Sequence, residues 1–141
     1  MARAVLDTNV LVSAFIRPAG PPGRLLVELA TREAFELVLS ESIVDELRRA
    51  LRYPAVRKRL LLSDDELDTL VAMLEILSTV VDPSGAVAGG SRDPSDDHIL
   101  AAAVEGCAEY IVSGDDDLLS MAELEGIRIV TPRQFLELIA R

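Results

Sequence analysis

One cysteine and one histidine are all that 141 residues offer toward thiol, imidazole or soft-metal chemistry. A lone Cys107 excludes an intrachain disulfide and a cysteine-rich zinc site, and its position on an apolar helix side reads as a small core residue. With His98 the sole imidazole, any bound metal must sit among oxygen ligands, which suits Mg²⁺ or Mn²⁺ better than Zn²⁺. Long apolar runs are missing too. Charges interrupt every stretch well short of the ~20 residues that span a bilayer. Asp7 also arrives too early for a secretory apolar core, so the expectation is a cytoplasmic chain without membrane contact. Positive charge is scarce: 14 Lys and Arg stand against 24 Asp and Glu, a net charge of −10. That balance counts against a nucleic-acid partner, because phosphate contacts need basic surface. Its distribution softens the argument. Six of the 14 basic residues fall between Arg48 and Arg59, whereas acids gather in 93–97 and 115–117. The arginines read equally well as a basic rim beside an acidic site or as a solvated helix face.

What is present is apolar content, 50% of residues, and enough chain for one domain, taken as 1–141, with a core that needs no staple. Short apolar runs alternate with helical patterns. Ala4-Val5-Leu6 reads as a strand ending at Asp7, followed by helices around Asn9–Ile16 and Gly23–Arg32. Phe35–Leu39 is a second strand, and Ser40 or Ser42 starts a helix to about Arg52. Ser63-Asp64-Asp65-Glu66 is a capping-box start for a helix to about Leu77. Thr79–Val81, Tyr110–Val112 and Ile127–Val130 supply three more strands. The small-residue loop Pro83–Ser91 precedes a helix near Pro94–Glu105, another starts near Asp116, and Thr131-Pro132 caps the last. The alternation predicts an α/β fold: a mostly parallel sheet of about five strands, flanked by helices in three layers. In such sheets ligands gather outside the carboxyl ends of the strands.

Acids stand at those ends. Asp7 follows the first strand directly, and Asp115 lies three residues past Val112. Either is also a plausible helix cap, but carboxylates crowded at one sheet edge repel one another and call for a cation. In the helix after the second strand, Ile43, Val44, Leu47, Ala50 and Leu51 form an apolar stripe at ~100° per residue. Asp45 projects away from it, and Glu46 falls on its edge. Ahead of the next helix, Asp93 before Pro94 reads as an N-cap, with Asp96 as the acid that reaches back to it. Asp97 shares a side with Leu100 and Val104, and Asp96 also lies near that stripe, so angle does not separate them; having no capping duty makes Asp97 the better ligand candidate, and His98 points away.

The stretches Val5-Leu6-Asp7-Thr8-Asn9-Val10-Leu11-Val12-Ser13, Ser42-Ile43-Val44-Asp45-Glu46-Leu47, Arg92-Asp93-Pro94-Ser95-Asp96-Asp97-His98-Ile99-Leu100-Ala101-Ala102-Ala103 and Tyr110-Ile111-Val112-Ser113-Gly114-Asp115-Asp116-Asp117-Leu118-Leu119 together resemble the PIN-domain family. They are similar above all to its small prokaryotic, VapC-like branch of toxin–antitoxin systems. The resemblance implies a PIN-like fold in which Asp7, Glu46, Asp97 and Asp115 form a catalytic, metal-binding site, with Asp117 as a further ligand and Thr8, Asn9 and Asp96 around them. It implies an Mg²⁺- or Mn²⁺-dependent ribonuclease, an antitoxin protein as partner and a homodimer. Arg48, Arg49 and Arg52 match no family signature, and their assignment to RNA contact rests on charge alone. Competing readings keep the acids as caps in a non-catalytic RNA- or protein-binding module, or give the same site to DNA. A phosphatase that forms a phosphoaspartate needs a second acid two residues after Asp7, where Asn9 stands instead.

Overall fold

The computed structural model describes residues 1–83 and 96–140. The expected loop Pro83–Ser91 beyond its first residue, and the expected cap at Asp93, lie outside the described residues. β1 (Arg3–Leu6) runs straight into α1 (Thr8–Ile16). α2 (Pro21–Arg32) begins with two prolines, placed in the first turn where a missing N–H costs no helical bond. β2 (Glu36–Ser40) leads into α3 (Glu41–Arg52), whose first turn is closed by a hydrogen bond from the Ile43 amide to Ser40 Oγ. A single turn α4 (Pro54–Arg57), α5 (Asp64–Leu77) and β3 (Ser78–Val81) complete this half. α6 (Asp97–Glu105), β4 (Tyr110–Val112), α7 (Asp116–Met121), β5 (Glu123–Leu124), β6 (Ile127–Val130) and α8 (Pro132–Ile139) follow.

The sheet has six strands in the order β3-β2-β1-β4-β6-β5, parallel throughout except for the β5–β6 pair. The chain builds outward from β1 through β2 to β3, then returns to lay β4 on the other side of β1. The strand order therefore reverses between β1 and β4, and a crevice opens beyond their carboxyl ends. β1 and β2 are sealed in a core that includes Val5, Leu6, Leu37, Leu39, Leu100 and Ile111. Phe135 of α8 is fully buried and meets Phe35 edge-to-face, with ring centroids 5.1 Å apart. Gly106, after α6, lies so close to β2 that a Cβ there would collide with the Val38 side chain. That close approach seats α6, and hence the acids at its start, against the sheet.

Six strands replace the expected five or so. β5 is two residues long, too short to carry a periodic signal. It pairs back on β6 through Glu125 and Gly126, both at positive φ (51° and 82°), the conformation of a tight two-residue hairpin turn. Pro54, two residues past the end of α3, starts α4, a role its fixed φ suits. Among the described residues no helix is long and apolar enough to cross a membrane.

Candidate active site

Parallel register decides what meets at the crevice. Leu6 of β1 pairs with Val112 of β4, so the next residue on each strand, Asp7 and Ser113, emerges at the same edge. The Asp7 amide donates to the Val112 carbonyl at 3.0 Å, extending the ladder by one bond. Ser113 is fully buried, and its Oγ donates to Asp7 Oδ2 at 2.8 Å. The same Oγ accepts from the Asp115 amide at 3.0 Å, and Asp115 Oδ1 accepts from the Asp117 amide at 3.0 Å. A continuous hydrogen-bonded line thus ties Asp7 through Ser113 to the start of α7.

Asp7 occupies the position before α1, yet its side chain makes no capping bond there. It is 5% exposed, and burial pushes its carboxyl above the ordinary carboxylate value. Hydrogen bonds from the Ser113 hydroxyl and the Thr8 amide pull the other way, while the charges of Glu46 and Asp115 push it up again. Asp7 is therefore repelled by both Glu46 and Asp115. Asp115 serves in addition as the N-cap of α7.

Glu46 sits half-buried on α3, beside the buried stripe of Ile43, Val44, Leu47 and Leu51. Its Oε2 lies 3.1 Å from His98 Nε2. The expectation that His98 points away from the site is thereby corrected. The buried face of α6 is Ile99, Leu100, Ala102 and Ala103, whereas Val104 is exposed. The angular argument that paired Asp97 with Val104 as inward residues fails accordingly. Asp96 is buried at the N-cap position without a side-chain capping bond, and Asp97 beside it is half-buried. Burial therefore gives Asp96 at least as strong a claim on the site as Asp97.

Thr8 is buried and holds Asp7 through its amide, while its Oγ1 has no hydrogen-bond partner among the described residues. Asn9 is exposed and lines a groove of about 630 Å³ next to Asp115 rather than packing beneath Asp7. Ser113, which carries much of the geometry, was not singled out by sequence reasoning. The register of β1 against β4 was the missing signal. Of the arginines, Arg48 pairs with Glu75 at 2.8 Å and Asp45 at 3.7 Å, and Arg52 with Asp68 at 3.1 Å and Asp64 at 3.9 Å. Arg49 makes no ion pair among the described residues.

The structure is thus a mostly parallel α/β sheet with acids at its switch point. The PIN domain family matches residues 3–117, and the chain belongs to that family. It is 31% identical to the uncharacterized protein MJ1680 of Methanocaldococcus jannaschii, over 96% of this chain and 90% of that one. Its fold is similar to a chain in the crystal structure of VapBC2 from Rickettsia felis bound to a DNA fragment from their promoter. That match has a TM-score of 0.57 and 15% identity, covering 90% of this chain and 96% of the other. Family membership makes a nuclease the coarse assignment.

Among the described residues, no three acidic, histidine or cysteine side chains converge closely enough to cage an ion by themselves. The donor set nonetheless suits a hard cation. It is all oxygen, it includes a buried carboxyl held against two like charges, and the partnerless Thr8 hydroxyl lies next to that carboxyl in sequence.

Proposed function

We propose that this chain is an Mg²⁺- or Mn²⁺-dependent endoribonuclease, the toxin component of a toxin–antitoxin pair, acting as a cytoplasmic homodimer. The observation that carries the reading is Asp7: a buried carboxyl at the topological switch point, driven up by burial and by the charges of Glu46 and Asp115. A structural cap has no need of that environment, and a cation site does. Asp7, Asp115 and Asp97, with Glu46 and Asp117, would hold the ion, and Asp96 stands beside them. When bound, such an ion lowers the pKa of a water and stabilises charge on the phosphate under attack.

The chain's own residues supply orientation. Ser113 and the Thr8 amide fix Asp7, so that its carboxylate does not rotate when a phosphate enters. Asp115 is fixed in turn by the Ser113 hydroxyl and the Asp117 amide. Glu46, partly exposed and facing His98, is the group able to hold a water on the open side. An antitoxin partner is supported by the likeness to a chain of VapBC2, and RNA as substrate by the resemblance of the four motifs. The test is cleavage of single-stranded and structured RNA, and of matched DNA, with Mn²⁺ or Mg²⁺. RNA should be cut by the wild type, and Asp7→Asn should be at least about a hundredfold slower. Equal rates for the two proteins, or undiminished activity in EDTA, would sink the mechanism; faster cleavage of DNA would change the substrate.

A further inference from the structure

Leu61 stands in the link between α4 and α5 and is 99% exposed, although Leu60 before it is buried in the core. A single exposed leucine needs no explanation, but its surroundings do. Of the nine large apolar side chains exposed among the described residues, six lie between Tyr53 and Val80, including Met73 and Ile76 on α5. The next residue, Leu62, lines a groove of about 350 Å³ together with Asp65, Glu66, Thr69 and Leu70. None of these five belongs to the acidic site. The charges on either side are sorted by sign. Lys58 and Arg59 are exposed before the leucines and Asp65 after them, and none of the three forms an ion pair among the described residues. Arg57 and Asp64, by contrast, satisfy each other at 3.1 Å.

We propose that two copies of the chain meet on this face, with Leu61 of each copy seated in the Leu62–Leu70 groove of the other. The inference rests on the homodimer of the reading above and assigns the surface that makes it. Cations, leucines and acids follow one another in Lys58-Arg59-Leu60-Leu61-Leu62-Ser63-Asp64-Asp65, so the segment is complementary to itself when inverted. A two-fold axis beside Leu61 and Leu62 brings Lys58 and Arg59 of one copy to the acids at the start of α5 in the other, and symmetry repeats the contact. A foreign partner of uniform charge would match one half of this surface and be repelled by the other half. The apolar anchor lies at the centre and the charges at the rim, the arrangement of a protein interface. Burying Leu61 drives the association, and the matched charges fix its register between molecules whose net charge of −10 otherwise holds them apart.

Two charge-reversed chains test the arrangement, one carrying Lys58→Glu and Arg59→Glu, the other Asp65→Lys. All three positions are exposed, so both chains should fold, with circular dichroism like that of the wild type. In analytical ultracentrifugation at low salt, the full-length wild type should be a dimer. Each reversed chain alone should dimerise at least about tenfold more weakly, because like charges then face each other across the axis. Mixed together, the two should recover a one-to-one heterodimer near the wild-type affinity. Leu61→Asp should raise the dimer Kd at least about thirtyfold. If the wild type dimerises and Leu61→Asp dimerises equally well, or the mixed chains pair no better than either alone, this surface is overturned and the homodimer belongs to another face. A monomeric wild type overturns the homodimer itself and leaves the patch to a different protein. RNA cleavage measured on the same samples judges the nuclease reading separately.

Discussion

Asp7 is a costly residue for the fold, and the cost has a definite pH signature. Its carboxyl titrates above the ordinary value, chiefly because burial strips water from the charge. The folded chain thus holds this proton more tightly than the unfolded chain. The stability contributed is fully present below the ordinary carboxylate value and is lost as pH rises through the elevated one. In EDTA, the wild type should therefore lose stability relative to Asp7→Asn as pH climbs from about 4, and the variant should melt higher at neutral pH. Parallel Tm-against-pH curves for the two proteins would contradict this. Ser113 works in the opposite sense, since its 2.8 Å hydrogen bond favours the charged form. Ser113→Ala leaves a buried carboxylate short of a donor. It should destabilise the fold by about 1–3 kcal/mol at neutral pH and slow cleavage roughly 10–100-fold by loosening Asp7. Chemical denaturation and a kcat measurement check the two effects, and Ser113→Thr, which restores a hydroxyl, should recover most of both.

Elements whose signal is local were legible, and those defined by tertiary contact were not. The Ser63–Glu66 capping box is present with both reciprocal bonds, and the Ser63 amide holds the Glu66 carboxyl below its ordinary value. The apolar stripe of α3 gave its buried face, and with it the edge position of Glu46. β5 was invisible because two residues show no period. α6 misled because alanines fill its buried face, so the angular reading fell on Val104, which is exposed. Ser113 was missed because its importance lies in strand register. Charge runs were legible as charge and not as purpose. The arginines of α3 proved to be largely a bridge to α5, where Arg48 and Arg52 are matched by Glu75, Asp64 and Asp68. Exposed pairs of this kind contribute little, about 0–1 kcal/mol each, but they occupy the guanidinium groups. Arg49 is unmatched among the described residues and should carry the RNA contact of this helix. Arg49→Ala should raise the KM for RNA and lower the salt slope of binding by about 1, while Arg52→Ala changes neither appreciably. Equal effects from the two substitutions would return the whole helix face to a solvated role.

At the scale of the whole molecule, a net charge of −10 first reads as an argument against nucleic acid. The acids of the α3–α5 bridge are balanced by Arg48, Arg52 and Arg57 and add no net charge. Part of the unbalanced excess sits near the switch point, where the charges of Glu46 and Asp115 act on Asp7. Under the metal-dependent reading proposed above, a cation bound there would relieve the repulsion on Asp7. Binding to the folded state alone raises stability by RT ln(1 + [L]/Kd), about 2.7 kcal/mol at a hundred times Kd. For a chain of this size that corresponds to an increase in Tm of roughly 5–10 °C. Calorimetry with increasing Mn²⁺ should accordingly show the wild-type Tm rising and then following the logarithm of concentration. Asp7→Asn should start higher in EDTA and respond far less, because it has lost both the repulsion and the ligand. The two curves should converge or cross as metal is added. If Mn²⁺ raises both proteins equally, the ion binds elsewhere on the acidic surface, and the carboxylates at the switch point are held apart from it.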